Sequence, residues 1–152
     1  MSIEIASPEQ LPEAVGRSAT GEWFAVEQDR IDRFAEVTED HQWIHTDPVQ
    51  AAAGPFGATV AHGYLTLSLL PRLVAGLVEV KGVSMIVNYG LDRVRFVTPV
   101  SVGSRVRAHT TIVSAEPGSR GTRLTSDVEV QVEGGDRPAI VARSISLVVP
   151  SP

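Results

Sequence analysis

The stretch AHGYLTLSLLPRLVAGLV, Ala61 to Val78, decides the fold. It is apolar on nearly every side, the composition of a helix buried all round rather than one with a wet face. Pro71 removes one backbone hydrogen bond and predicts a kink. The wider apolar run from Val60 to Val80 approaches membrane-spanning length, but Pro71 and Arg72 in its middle and His62 near its start point to a buried helix of a soluble protein. Such a helix needs something wrapped around it.

The rest of the chain supplies the wrapping. From residue 83 onward the hydrophobic period changes to two: Leu124, Ser126, Val128, Val130 and Val132 alternate with Arg123, Thr125, Asp127, Glu129 and Gln131. That is a strand with one buried face. Similar strands are predicted over about 84 to 97, 103 to 115 and 138 to 149, with Gly90 marking a bulge in the first. Glu116 to Gly121 and Gly134 to Asp136 have hairpin-turn chemistry, so the second half reads as an antiparallel meander. The expected architecture is α+β, with the helix as core and the sheet curled around it. An exposed sheet edge is a liability in a monomer, which makes edge pairing into a homodimer the expectation.

Upstream of the helix, Ser7 to Gly16 reads as a short helix and Glu22 to Val26 as a strand able to join the sheet. From Gln28 to Thr38, Ile31, Phe34, Ala35 and Thr38 recur at helical spacing. Thr46 to Gly54 reads as another short helix, with Asp47 as cap and Pro48 at the first position. With 152 residues, 43% of them hydrophobic and 20% charged, the chain is the size of one globular domain spanning 1 to 152.

Composition also excludes chemistry. There is no cysteine, hence no disulfide, thiolate metal site or thiol nucleophile. The N-terminus lacks a basic region followed by an apolar run, so a cytoplasmic protein is the default. The net charge of −5 argues against a nucleic-acid binder, and no membrane partner is expected. Residues 1 to 80 carry 4 basic and 12 acidic side chains, or −8, whereas residues 81 to 152 carry 9 and 6, or +3. The cationic half suits either a solvated strand face or a phosphate-bearing ligand. No Walker pattern, GxGxxG or GxSxG occurs.

Between two of these helices lies TEDHQWIH, Thr38 to His45, with two acids, two histidines and a Trp in eight residues and no regular period. Three readings remain open from the residues alone. Asp40 caps a turn and the histidines are solvated. His41 and His45, four apart, bind a metal with nearby acids, although no third ligand is evident. Or Asp40 and His45 hold a water between them for acid–base chemistry, with Trp43 and Ile44 as the local groups able to bury Asp40.

The order Phe34, Thr38, Asp40, Ile44, His45, then Thr46, Asp47, Pro48 and Ala51 to Ala53, closely resembles the hydratase motif of the MaoC-like, (R)-specific enoyl-CoA hydratase family. Ala61 to Leu65 resembles that family's His-Gly turn, and Asn88 to Phe96 followed by Pro99, Val100 and Gly103 resembles its strand signature. Three motifs in order, from about residue 20 to the C-terminus, are far more specific than one. The resemblance implies a hot dog fold and reversible hydration of a trans-2-enoyl thioester of CoA or acyl-carrier protein, with no cofactor and no metal. It also implies Asp40 and His45 as the catalytic pair and the Gly63 backbone N–H as the donor to the thioester carbonyl. Asn88 and Tyr89 either line the acyl or pantetheine channel or, as a strand Tyr commonly does, pack into the core. Glu39 stands where the family usually has Gly, Gln42 and Trp43 stand for Asn-Pro, and the position of a Ser found in some relatives is Pro71, with Ser68 about a turn away. No Asp or Glu lies between Gly63 and Val78, unlike hot dog enzymes that place a carboxylate on the central helix. The alternative is a non-catalytic thioester-binding or structural subunit of a dehydratase complex.

Overall fold

A computed structural model describes residues 1–152. Four long antiparallel strands make the body of the sheet: β5 (Val83–Phe96), β6 (Arg105–Gly118), β7 (Gly121–Val132) and β8 (Ile140–Pro150). Two short strands, β2 (Ser18–Thr20) and β3 (Phe24–Ala25), both pair with β6. A separate parallel pair joins β1 (Ile3–Ile5) to β4 (Val78–Val80). The period-two pattern is realised on β7, where Thr122, Leu124, Ser126, Val128 and Val130 face inward. Ser119 and Arg120 alone make the turn into it, because β6 runs on to Gly118.

The strand order is β2-β6-β7-β8-β5, so β6, β7 and β8 form a meander but β5 does not precede β6 in it. It pairs with β8 at the far edge. The helical segments between β3 and β4 carry the chain from the β6 edge to the β8 edge before β5 begins. Alternation reports which face of a strand is buried and is silent about its neighbour, which is why the four-strand meander expectation fails at β5. Gly90 does mark a bulge, with register shifts between Asn88 and Gly90 and again between Asp92 and Arg95.

The decisive apolar stretch is helical over Gly63–Ser68 (α4) and Leu70–Leu73 (α5), with Leu69 at the joint. Pro71 offers no N–H to the Leu67 carbonyl one turn back, which places the break where the kink is expected. Leu65, Leu69, Leu70, Leu73 and Leu77 bury against the sheet residues Ile112, Val128 and Ile140 in one apolar cluster. This is the hot dog arrangement of a curved antiparallel sheet on a central helix. Two expectations are corrected. The helix ends at Leu73 rather than Val78, because Gly76 turns the chain at φ +74° and Val78–Val80 pairs with β1. It is also not buried all round, since Tyr64, Ser68, Pro71 and Arg72 are exposed in the single chain.

The other elements fall close to expectation. Helix α1 is Gln28–Thr38, and α3 is Pro48–Ala52 with the Asp47 carboxylate accepting from the Gln50 N–H at 2.9 Å. Pro8–Ala14 is a 3-10 helix without a side-chain cap from Ser7. No helix is long and apolar enough to cross a membrane.

Candidate active site

Helix α1 ends at Thr38, whose hydroxyl donates to the Phe34 carbonyl at 2.6 Å, and Glu39 turns the chain out in a left-handed conformation at φ 60°. The turn delivers half-buried Asp40, whose carboxylate accepts a long 3.5 Å contact from the Gln42 N–H. One helical turn, α2 (Trp43–Thr46), then carries His45 into the interior. His41 stays exposed.

His45 is held from two directions. Its Nδ1 lies 2.6 Å from the Val60 carbonyl. A carbonyl only accepts, so Nδ1 carries a proton, and Nε2 is left without a hydrogen-bond partner in the chain. Its own backbone carbonyl accepts from Gln28 Nε2 at 2.8 Å, while Thr59 donates to Gln28 Oε1 at 2.5 Å. A glutamine at the first position of α1 therefore fixes the histidine loop to two other segments.

A third group completes the cluster. His62, 2% exposed, stacks on His45 with ring centroids 3.8 Å apart and planes 23° from parallel. Its Nε2 lies 3.0 Å from the Asp40 carbonyl, and Phe34 packs on it at 4.9 Å. Burial, the largest influence, holds the His62 imidazole below its ordinary value, against the Asp40 carbonyl, which favours the charged form. One side-chain donor atom from each of Asp40, His45 and His62 lies within 4.8 Å of the others. That spacing admits a cation, but near-parallel stacked rings do not aim their in-plane lone pairs at one ion, and Nδ1 of His45 is already committed to Val60. The arrangement suits proton transfer.

A model of the MaoC-like domain family matches residues 10–134. The chain belongs to that family. The 3-hydroxyacyl-thioester dehydratase Z of Mycobacterium tuberculosis is 52% identical to it over 134 residues, covering 88% of this chain and 87% of that one. Nodulation protein N of Rhizobium leguminosarum bv. viciae is 44% identical over 146 residues, 93% and 88% of the two chains. The unliganded R-hydratase PhaJ1 of Pseudomonas aeruginosa shares the fold at a TM-score of 0.73 and 22% identity, over 91% of this chain and 83% of that one. With a dehydratase at 52% identity over most of both chains, this MaoC-like protein is an enzyme of the hydratase and dehydratase class.

The remaining residues named from the MaoC-like motifs lie in two cavities. Asn88 and Tyr89 line a groove of about 640 Å³ between the central helix and β5 and β8, together with Tyr64, Ser68, Pro71 and Phe34. Neither Asp40 nor His45 lines it; Phe34, which packs on His62, connects the two. Gly63 instead borders a second cavity of about 250 Å³ with Phe56, Thr66 and Phe96. A Cβ at Gly63 would stand 3.0 Å from the Phe96 ring, so only glycine fits without displacing it. The Gly63 N–H, first in α4, has no backbone acceptor. Ser68 donates its hydroxyl to the Leu65 carbonyl at 2.8 Å.

Trp43 is 37% exposed with its ring against Gly54, Ile44 is half-buried, and Phe34 packs on His62. Sequence reasoning named neither Gln28 nor the Val60 carbonyl at this cluster and assigned His62 no role in it. Only His62 carried a signal, as a polar residue opening an otherwise apolar helix. Much of the cationic half is accounted for on the sheet, where Arg105 pairs with Glu133, Arg123 with Glu116 and Arg143 with Asp127, while Arg107 lies over Trp23.

Proposed function

We propose that this enzyme adds water to trans-2-enoyl thioesters of CoA or acyl-carrier protein to give (R)-3-hydroxyacyl thioesters, and catalyses the reverse dehydration. The observation that carries the reading is His45, locked by the Val60 carbonyl with Nε2 unpartnered in the chain, beside the Asp40 carboxylate. A water between these two groups loses a proton to Asp40 as its oxygen bonds to the β-carbon. The π electrons move onto the thioester oxygen as an enolate, and the pair returns a proton to the α-carbon. Atoms and charge balance without an oxidant, so no cofactor is required. The Gly63 N–H, which has no backbone acceptor, would donate to the enolate oxygen, a contact of the kind whose loss typically costs about 3 to 4 kcal/mol. Asn88 and Tyr89 line the path of the acyl or pantetheine arm.

The same reading takes two copies of the chain. Strand β5 is paired on one side only and exposes Met85, Ile86, Val87, Tyr89, Leu91 and Phe96. Such an apolar edge pairs with its own copy in an isologous contact, which would also roof the groove beside Tyr89.

The alternative of a non-catalytic subunit rests on Glu39, Gln42 and Trp43. All three are exposed and none belongs to the Asp40, His45 and His62 cluster, so nothing at these positions favours it. The deciding experiment follows loss of conjugated enoyl absorbance with crotonyl-CoA, beside Asp40→Asn and with chiral analysis of the product. Turnover by wild type only, giving the (R)-alcohol, is expected. No turnover with crotonyl-CoA, longer enoyl-CoAs or a carrier-protein thioester overturns the proposal.

A further inference from the structure

We propose that His62 is a positioning residue that ties Asp40 to His45 and sets the approach of the adjoining Gly63 N–H, a role that rests on the reading of Asp40 and His45 as the acid–base pair. Two contacts from one ring, and its place in the chain next to Gly63, carry it. The Asp40 carboxylate has only the long contact to the Gln42 N–H, so its place depends on its main chain. The Asp40 carbonyl takes a single hydrogen bond, from Nε2–H of His62. The face of the same ring lies 3.8 Å from His45, opposing any tilt of the imidazole about its Val60 hydrogen bond. The next residue along the chain is Gly63, so a shift of His62 displaces both ends of the proposed reaction path at once.

A buried histidine that merely fills the core would look different. Nδ1 of His62 is buried with no hydrogen-bond partner, a burden that an apolar ring of the same shape would not impose. Packing alone would favour Phe here, next to Phe34. The nitrogen that is satisfied is the one that holds Asp40. Nε2–H is donated to a carbonyl, and burial disfavours the charged form of the ring stacked on His45.

The test separates the two contacts. His62→Phe keeps an aromatic ring on His45 and drops the N–H; His62→Gln keeps an N–H donor and drops the stack. Both are assayed for kcat and KM with crotonyl-CoA beside wild type and Asp40→Asn, with thermal midpoints measured on the same preparations. His62→Phe is expected to retain its midpoint and lower kcat about 10- to 100-fold with KM within about threefold, as a small displacement of reacting groups does. His62→Gln is expected to lower kcat by at least about threefold but less than His62→Phe does. A kcat within twofold of wild type in either folded variant, with Asp40→Asn inactive, overturns the positioning role and leaves the hydratase reading standing. Full activity of Asp40→Asn sinks that reading itself. Should one variant fail to fold, the other decides by the same kcat criterion.

Discussion

The Asp40, His45 and His62 cluster and strand β5 are opposites within one chain. In the cluster both histidines are buried, and two of the polar contacts reach main-chain carbonyls, Val60 and Asp40, supplied by the same chain. Along β5 the residues from Ser84 to Arg93 are all exposed, although Met85, Ile86, Val87, Tyr89 and Leu91 are apolar or aromatic. Strand β7, flanked by β6 and β8, buries every second residue. The contrast teaches that the proposed acid–base cluster closes within one chain, whereas the apolar β5 edge finds no partner in it.

That contrast can be broken at either end. Asp40→Asn and His45→Gln should each lower kcat by about 10²- to 10⁴-fold with the fold intact, measured by enoyl absorbance and circular dichroism. Comparable activity in either variant would remove the cluster from the reaction. Next in size, Ile86→Glu combined with Leu91→Glu should convert a dimer into a 16.2 kDa monomer by sedimentation and cost about tenfold in kcat/KM, while leaving the cluster folded. A wild-type monomer with full activity would show that the exposed strand serves no assembly.

A smaller effect sharpens the description of the cluster. His62 titrates below its ordinary value of 6.5 because burial disfavours its charged form, with Asp40, His41 and His45 around it. Below pH 6.5 the unfolded chain binds a proton that the folded chain refuses, so stability falls as pH drops from 6.5 toward the folded pKa. The slope from this group is at most about 1.4 kcal/mol per pH unit. Urea titrations at pH 7.5 and 5.5 should show that His62→Phe loses less stability over this range than wild type. An equal loss would assign the acid sensitivity elsewhere.

The smallest change concerns Glu39, which sits at φ 60° just beyond the α1 C-terminus, where glycine is favoured and a negative charge opposes the helix dipole. Glu39→Gly should therefore gain about 0.5 to 1 kcal/mol, read as a thermal midpoint a few degrees higher, with activity unchanged. The positive φ also explains why the family motif usually has Gly here. A marked loss of activity would make Glu39 part of the site.

Much of this was legible in the linear chain because its signals are local. Gln28–Thr38 follows from helical spacing, the β7 face from alternation, the bulge from Gly90 and the helix break from Pro71. Asp40 and His45 were legible as a pair because they are five residues apart in one short loop, and the motif resemblance gave them roles. What the amino-acid order determined is thus each element, the face it buries and the groups available for proton transfer. Only the tertiary structure decided that β5 sits at the far edge beside β8, that β4 ends the helix by pairing with β1, and that Val60, Gln28 and His62 converge on Asp40 and His45. The physical reason is the range of the interaction: spacing and propensity act over a few residues, whereas His62 meets Asp40 across twenty-two, and nothing in either segment encodes the other until the helix lies on the sheet.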